Sequence, residues 1–161
     1  MPRGLDREEQ ATWRSFLLAS RLLFDQLERE MKQDAALSFS DYELLSRLSR
    51  APGRSMRMAD VAAACVFDRS RLSHAIDRLV RNGWVCRVPC PSTSRGQLAC
   101  LTDEGLEKVR QADRGHVEQL RSRVLDRLTD EQKTALREVS EVLATGILDR
   151  PKLVSMGWPV G

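Results

Sequence analysis

The stretch Asp68-Arg-Ser-Arg-Leu-Ser-His-Ala-Ile-Asp-Arg-Leu-Val-Arg-Asn82 decides the fold that this sequence predicts. Asp68 is a suitable helix N-cap, and Asn82-Gly83 ends the helix because glycine accepts the left-handed conformation common at helix C-termini. Arg, Ser and His occupy the outer face of this predicted helix. Its apolar residues recur with the helical period of about 3.6: Leu72, Ala75, Ile76, Leu79 and Val80.

A shorter helix is predicted just before this stretch. Residues 58–65 are mostly small, which allows close helix packing, and Val66-Phe67 form the turn that follows them. Two short helices joined by a tight turn, the second with a polar outer face, are a helix-turn-helix candidate. Residues 54–57, further upstream, are predicted to be a short extended piece.

A hairpin with a basic tip is predicted after the second helix. Residues 84–89 and 97–102 have the composition of strands, and the loop 90–96 between them contains Pro, Ser and Gly, which interrupt regular structure. A register that pairs Val85 with Leu101 also places Cys86 opposite Cys100.

Amphipathic helices flank this central region. Residues 6–33 carry apolar side chains at spacings of three and four, a set so broad that part of it is expected to meet another chain. A capping box at Ser40-Asp41-Tyr42-Glu43 starts the next helix, which ends at Ala51-Pro52-Gly53. Further caps at Thr102 and at Thr129-Asp-Glu-Gln132 start two more helices, and the prolines and glycines of residues 151–161 exclude continuation of the last one.

The charge is concentrated in the central region. The 161 residues are about the size of one domain and carry a net charge of +3. Residues 54–95 contain eight arginines and three aspartates, a net charge of +5, and the remainder carries 18 basic and 20 acidic residues, a net charge of −2. This distribution is typical of an anion-binding module on a near-neutral scaffold, although an arginine-rich surface that reflects codon usage is the alternative.

Several function classes lack their sequence signals. No apolar run approaches the roughly 18–20 residues that cross a bilayer, and residues 1–6 lack the order of a secretory signal, so a cytoplasmic protein with no membrane partner is expected. Glycine-rich phosphate loops and nucleophile elbows are absent from the sequence, so no enzyme activity is expected. The cysteines at 65, 86, 90 and 100 fit no zinc spacing, and neither a metal site nor a cofactor is predicted.

The order of these elements resembles the MarR family of winged helix-turn-helix regulators. The resemblance extends without a gap from Met58 to Gly105 and, through the flanking helices, over nearly the whole chain. The matching motifs are Asp68-Arg-Ser-Arg-Leu-Ser73, Ile76-Asp-Arg-Leu79, Asn82-Gly-Trp-Val85, Arg87-Val-Pro89 and Leu101-Thr-Asp-Glu-Gly105.

The resemblance implies a mainly α (α+β) fold in a single domain, 1–161. A winged helix-turn-helix with a two-strand wing, 54–101, would lie between helical dimerisation arms, 6–51 and 102–148, and an irregular tail, 149–161, would follow. The arms of two chains would intertwine in a homodimer that binds double-stranded DNA at a pseudo-palindromic operator. Symmetry also favours a dimer on such a site, since a two-fold dimer places two recognition helices about one DNA turn apart.

Helix-turn-helix geometry places the N-terminal part of the second helix in the major groove. Arg71 and His74 are predicted to contact bases because they lie three apart, opposite the apolar face, and arginine can bridge O6 and N7 of guanine. Asp77 is expected to pair with Arg78 or Arg81. The predicted contact set, whose alternative is a row of merely solvated residues, is Arg54, Arg57, Arg69, Ser70, Arg71, Ser73, His74, Arg78, Ser94 and Arg95.

The wing tip departs from the family pattern. In the family a tip arginine enters the minor groove, and Arg95 matches that position. The family usually has an aspartate followed by two arginines, whereas this sequence has Thr93, Ser94 and Arg95. The loss of an internal ion pair predicts a less rigid wing with a smaller contribution to binding.

The resemblance further implies a transcriptional regulator, expected to be a repressor that responds to a small-molecule effector. Candidate pocket residues, whose alternative role is plain core, are Trp13, Phe16, Arg21, Phe24, Phe39 and Tyr42. A second hypothesis is a thiol-based redox sensor that uses Cys86 and Cys100, against which stands chance placement of cysteine on a strand. A third is a helical dimer that acts as a protein-interaction module without specific DNA binding.

Overall fold

A computed structural model describes residues 3–91, 96–157 and 159, and in these residues the chain forms seven α-helices and three β-strands. The helices are α1 (Arg7–Ala35), α2 (Phe39–Arg50), α3 (Met58–Ala64), α4 (Arg69–Arg81), α5 (Asp103–Arg123), α6 (Asp130–Thr145) and α7 (Arg150–Ser155). The strands are β1 (Ser55–Arg57), β2 (Val85–Pro89) and β3 (Gln97–Leu101). The predicted fold class, mainly helical with a small sheet, is confirmed.

Side-chain caps fix where the helices begin. Asp68 accepts the backbone N–H of Arg71 at 2.7 Å, and Thr102 and Thr129 cap α5 and α6, which confirms all three predicted starts. The cap predicted for α2 at Ser40 is wrong. The Ser38 hydroxyl accepts the backbone N–H three residues on at 3.0 Å, so the helix begins at Phe39.

The sheet has the order β1-β3-β2, with antiparallel pairing throughout. Cys86 pairs with Cys100 in the register of β2 and β3, as the sequence predicts. The extended piece at 54–57 contributes a third strand, because β1 pairs with the free edge of β3. The strand β3 is therefore paired along both of its edges, with β2 on one side and β1 on the other.

The helix α5 packs closely against the base of this hairpin. The hydroxyl of Thr102 donates to the carbonyl oxygen of Gly83 at 2.7 Å. A Cβ atom at Gly105 would lie only 2.1 Å from the carbonyl oxygen of Trp84 and 2.8 Å from a methyl group of Leu101. Position 105 therefore has room only for glycine, and this contact sets the position of the hairpin relative to α5.

The hydrophobic core lies where α2, α3, α4 and the sheet meet. Its most completely buried side chains come from these elements and include Leu44, Leu45, Leu48, Val61, Ile76, Leu79 and Val85. Met31 of α1 and Val109 of α5 belong to the same cluster. The core therefore packs against one face of α4 and leaves the opposite face exposed to solvent.

The C-terminal segment is not the irregular tail predicted for residues 149–161, since it contains α7. Asp149 caps this helix by accepting the N–H of Lys152 at 3.0 Å, and Pro151 lies in the first turn, where a helix needs no N–H from it. Leu153 is buried, and Arg47 of α2 donates to the carbonyl oxygen of Met156 at 2.6 Å.

Two helices expose apolar faces. None of the residues of α6 is buried within the chain, although the helix is amphipathic. Amphipathic helices in proteins gain most of their stability from packing their apolar face against another element, so a face of this kind normally has a partner. The large exposed apolar residues of α1 and of the α6 region are Trp13, Phe16, Leu18, Leu22, Phe24, Leu136, Val139, Val142, Leu143 and Ile147.

Candidate nucleic-acid interface

The helix α4 presents a polar face to solvent. Its buried side consists of Leu72, Ala75, Ile76 and Leu79. The residues that project away from that side and are exposed are Ser70, Ser73, His74 and Arg81. Ser70, Ser73 and His74 belong to the predicted contact set and lie together near the N-terminal part of the helix.

Arg71 lies on the flank of α4. Its guanidinium carbon is 4.3 Å from the centre of the Phe67 ring, a cation–π contact. The positive charges of Arg47 and Arg71 also act on Glu43, although burial is the larger influence and raises the pKa of that carboxyl group. Arg71 is therefore exposed but oriented by its own chain, and it does not project from the middle of the outward face.

Arg78 joins α4 to α2. Its Nε and Nη2 atoms donate to the two carboxylate oxygens of Asp41 at 3.0 and 2.5 Å, and Asp41 is only 5% exposed. Donation of these hydrogen bonds to the Asp41 carboxylate raises the pKa of the Arg78 guanidinium, which stays charged. This two-point contact fixes α4 on the body of the protein, so Arg78 of the predicted contact set has its partner within its own chain.

Asp77 pairs with neither Arg78 nor Arg81, contrary to the sequence prediction. Its carboxylate accepts a hydrogen bond from Arg87 of β2 at 2.6 Å. The two residues are ten apart in sequence, and only the return of β2 along α4 brings them together. The pair connects the wing strand directly to the recognition helix.

The remaining described arginines of the predicted contact set are Arg54, Arg57 and Arg69. Arg54 forms an exposed ion pair with Asp103 at 2.8 Å. Arg57, Arg69 and Ser73 line one cleft of about 690 Å³ between the helix-turn-helix and the loop end of the hairpin. Two predicted contact residues, Ser94 and Arg95, lie outside the residues that the structure describes.

The predicted effector residues fall into two groups. Trp13 and Phe16 contact each other at a ring distance of 6.2 Å on the N-terminal half of α1, and Arg21 is exposed on the same helix. Phe39 lies 6.0 Å from Phe24 and 6.3 Å from Tyr42. Phe16 and Phe24 are eight residues apart, roughly 12 Å along a helix, so one chain does not bring all the predicted residues to a single pocket.

The second group includes polar side chains that sequence reasoning missed. The His116 ring lies 4.7 Å from Tyr42 and 5.7 Å from Phe39, and the Tyr42 hydroxyl donates to Asp113 at 2.7 Å. Burial and this carboxylate raise the pKa of Tyr42 to about 12. Burial lowers the pKa of His116 despite the nearby Asp113, and the His116 Nδ1 atom is buried without a hydrogen-bond partner.

Nothing local in the sequence signals this cluster. Tyr42 and Asp113 are 71 residues apart, and they meet because α2 packs against α5. The only available signal is the helical spacing of Asp113 and His116, which are three apart and so share one face of α5. We call the group Phe24, Phe39, Tyr42, Asp113 and His116 the aromatic cluster.

None of the four cysteines, which all lie in the described residues, forms a disulfide. Cys86 is exposed, Cys100 is partly buried, and Cys65 and Cys90 are buried. Within the described residues no group of three or more His, Cys, Asp or Glu side chains is arranged to hold a metal ion. In the same residues, no helix combines the length and the apolar character needed to span a bilayer.

The three-stranded sheet, the helix-turn-helix and the exposed polar face of α4 define a winged helix-turn-helix DNA-binding protein. A family model described as the MarR family matches residues 37–96. Sco3205 of Streptomyces coelicolor, a MarR family transcriptional regulator solved in complex with DNA, is 46% identical over 94% of each chain, with a TM-score of 0.90. The chain belongs to the MarR family of transcriptional regulators.

Two further relatives agree with this assignment. AbsC, a MarR family transcriptional regulator from Streptomyces coelicolor, is 39% identical, with a TM-score of 0.86 over 91% of this chain and 98% of AbsC. The HTH-type transcriptional regulator PecS of Dickeya dadantii is 30% identical over 118 residues, which are 72% of this chain and 70% of PecS. The similarity to Sco3205 and AbsC includes the helices on both sides of the winged helix.

Proposed function

We propose that the protein is a homodimeric repressor that binds a pseudo-palindromic operator and is released by a small molecule bound at the aromatic cluster. The main support for this proposal is the outward face of α4, where Ser70, Ser73 and His74 are exposed. The opposite face of the same helix is packed against the core. Serine and histidine hydrogen-bond to base edges and phosphates, and a helix of this size fits the major groove.

The anchoring of α4 supports specific binding rather than loose attraction. The Arg78–Asp41 contact holds the helix to α2, and Asp77–Arg87 holds it to the wing strand. A recognition helix fixed on two sides loses little conformational freedom when it binds, so contacts to bases are not offset by a large ordering cost. Arg57 and Arg69, beside the loop end of the wing hairpin, supply positive charge for phosphates.

The exposed apolar faces of α1 and α6 support the homodimer. Val142 of α6 is 70% exposed, and Ile147, just beyond the end of this helix, is 81% exposed. The helix α6 buries no residue in its own chain. Trp13 and Phe16 of α1 are exposed as well, and grouped exposed apolar side chains of this kind mark interaction surfaces. A two-fold dimer through these faces would present two α4 helices to successive major grooves.

The aromatic cluster supports an effector site. It lies where α1, α2 and α5 meet, between the exposed apolar face of α1 and the DNA-binding unit. Its rings suit an aromatic ligand, and the unpaired Nδ1 of His116 would hydrogen-bond to a polar group of that ligand. Binding there would change the angle between α5 and α2 and so the spacing of the two α4 helices.

A fluorescence anisotropy titration with DNA from upstream of the protein's own gene, at two salt concentrations, tests operator binding. We expect a preference for one sequence over scrambled DNA and a steep loss of affinity with salt. Arg71→Ala should cost on the order of 1–3 kcal/mol for the specific site, whereas Arg114→Ala on the exposed side of α5 should leave it unchanged. Equal affinity for both DNAs would instead favour a protein-interaction module.

Light scattering of the full chain tests the dimer. The effector site is tested by adding aromatic acids and phenols to the protein–DNA complex of the wild type and of His116→Ala. Release of DNA from the wild type, with a weaker response of the variant, supports the proposed site. An equal response of both proteins would place the effector elsewhere.

A further inference from the structure

Two thiols face each other across the strands of the wing. Cys86 of β2 and Cys100 of β3 are direct partners in the antiparallel register. Directly opposed residues of such a pair have Cα atoms about 4.5–5.5 Å apart, and disulfides join residues whose Cα atoms are about 4.4–6.8 Å apart. A bond between these two sulfur atoms therefore needs no change in the pairing of the strands.

The two thiols differ in their surroundings. Cys86 is exposed, whereas Cys100 is partly buried between β2 and β1. Burial, together with the Cys86 thiol within hydrogen-bonding reach, raises the pKa of Cys100, so this residue keeps its proton. An oxidant from solution would therefore meet the sulfur of Cys86 first.

We propose that Cys86 and Cys100 are a redox-active dithiol that a peroxide converts to a disulfide across the wing, changing the affinity for operator DNA. The effect on DNA rests on the proposed function, but the formation of the disulfide does not. Neither thiol belongs to the outward face of α4 or to the aromatic cluster.

A peroxide is the only reagent that this oxidation requires besides the two thiols. The thiolate of Cys86 attacks one peroxide oxygen, the O–O bond breaks, and a sulfenic acid and one water form after proton uptake. The sulfur of Cys100 then attacks the sulfur of Cys86, loses its proton, and displaces the hydroxyl group as a second water. The two thiols lose two electrons in total, and the peroxide gains them.

The position of the pair explains why the DNA-binding unit would respond. Disulfide formation draws the two sulfur atoms from a non-bonded contact to about 2 Å and fixes the dihedral angle between them at about ±90°, which twists β2 locally while its pairing with β3 is kept. The next residue on β2, Arg87, donates to Asp77 of α4 at 2.6 Å. A shift of β2 is therefore passed directly to the recognition helix.

Peptide mapping of the full-length protein after hydrogen peroxide treatment and alkylation tests the disulfide. We expect a Cys86–Cys100 linkage in the wild type and its absence in Cys86→Ser and in Cys100→Ser. Cys65→Ser is the matched control and should keep the linkage, because Cys65 is buried and its pKa is raised to about 11. Free, alkylated Cys86 after treatment, or a linkage of Cys86 to Cys90 or to a second chain, would overturn the proposal.

Salt-matched anisotropy titrations of the reduced and oxidised wild type test the effect on DNA. We expect the dissociation constant to change by about threefold or more, to return with dithiothreitol, and to stay constant in Cys86→Ser. A mapped disulfide with unchanged affinity would overturn the switch. A reduced protein that binds DNA without sequence preference would refute the proposed function instead. The peptide map would still show whether Cys86 and Cys100 form a disulfide.

Discussion

Replacing Arg78 with alanine should lower the free energy of unfolding by about 3 kcal/mol. The guanidinium donates to both carboxylate oxygens of Asp41, at 3.0 and 2.5 Å. Asp41 is 5% exposed, so the variant leaves a carboxylate without its partner in a place that water barely reaches. Removal of one member of a buried pair costs about 3–5 kcal/mol, and the lower end applies because the Arg78 side chain is 44% exposed.

The two members of the pair should respond differently. Asp41→Ala should cost only about 1–2 kcal/mol, because the released guanidinium of Arg78 can turn to water. The double variant Asp41→Ala/Arg78→Ala should be about as stable as Asp41→Ala alone, since no charge is then buried. The resulting coupling energy is about 3 kcal/mol, far above the error for independent sites.

Urea unfolding followed by circular dichroism measures these energies. All variants are compared at one chain concentration, because the stability of a dimer depends on concentration. Arg114→Ala, which removes an exposed arginine from α5, is the control and should be within about 0.5 kcal/mol of the wild type. A coupling energy below about 0.5 kcal/mol would refute the reasoning, since it would mean that Asp41 and Arg78 act independently.

Three further predictions concern the dimer, the recognition helix and pH. Val139→Asp places a charge on the apolar face of α6, so light scattering should show the dimer dissociating at protein concentrations at least about tenfold higher than for the wild type. An unchanged dimer would exclude this face as the dimer interface. Phe67→Leu removes the ring under Arg71 and should weaken operator binding by about 0.5–1 kcal/mol, whereas Phe67→Tyr should preserve it. Burial lowers the pKa of His116 from its ordinary value of 6.5, so the unfolded chain binds a proton at a higher pH than the folded chain. Stability is therefore full above about pH 6.5 and falls as the pH drops below it, and urea unfolding of His116→Gln should lack this part of the decline.

The sequence predicts those elements whose signals are local. The caps at Asp68, Thr102 and Thr129 bind N–H groups within the next three residues, so each start can be found from a short window. The pairing of Cys86 with Cys100 is also predictable, because one hairpin with a fixed register determines it. Family resemblance adds the arrangement of the helices around the hairpin.

Errors arise where several residues offer the same local signal. Ser38 and Ser40 are both suitable caps for α2, and the structure uses Ser38. A contact from outside the capping pattern supports this start, since Glu28 of α1 accepts the N–H of Phe39 at 2.6 Å. Pro151 suggests an interruption, yet it is tolerated in the first turn of α7. The burial of Leu153 against the rest of the chain then favours a helix that its own sequence only permits.

The side-chain partners of the candidate sites are the least predictable part. Arg78 and Asp41 are 37 residues apart, and Tyr42 and Asp113 are 71 apart. Such pairs depend on how α2 packs against α4 and α5, which no short window contains. Asp77 shows the consequence, since nearby arginines on its own helix suggested partners, whereas Arg87 of the adjacent strand is the one it binds.

The orientation of Arg71 connects the geometry of α4 to its chemistry. Successive residues of a helix turn by about 100°, so Arg71 lies roughly 90° from the middle of the buried face and Arg81 lies almost opposite that face. A flank position brings the guanidinium over Phe67, which restricts an otherwise flexible side chain before DNA arrives. Because ordering a free arginine costs up to about 2 kcal/mol, this contact removes part of that cost. If α4 binds the operator as proposed, Phe67 would contribute to affinity without touching DNA, whereas Arg81 would bind from a side chain that must first be ordered.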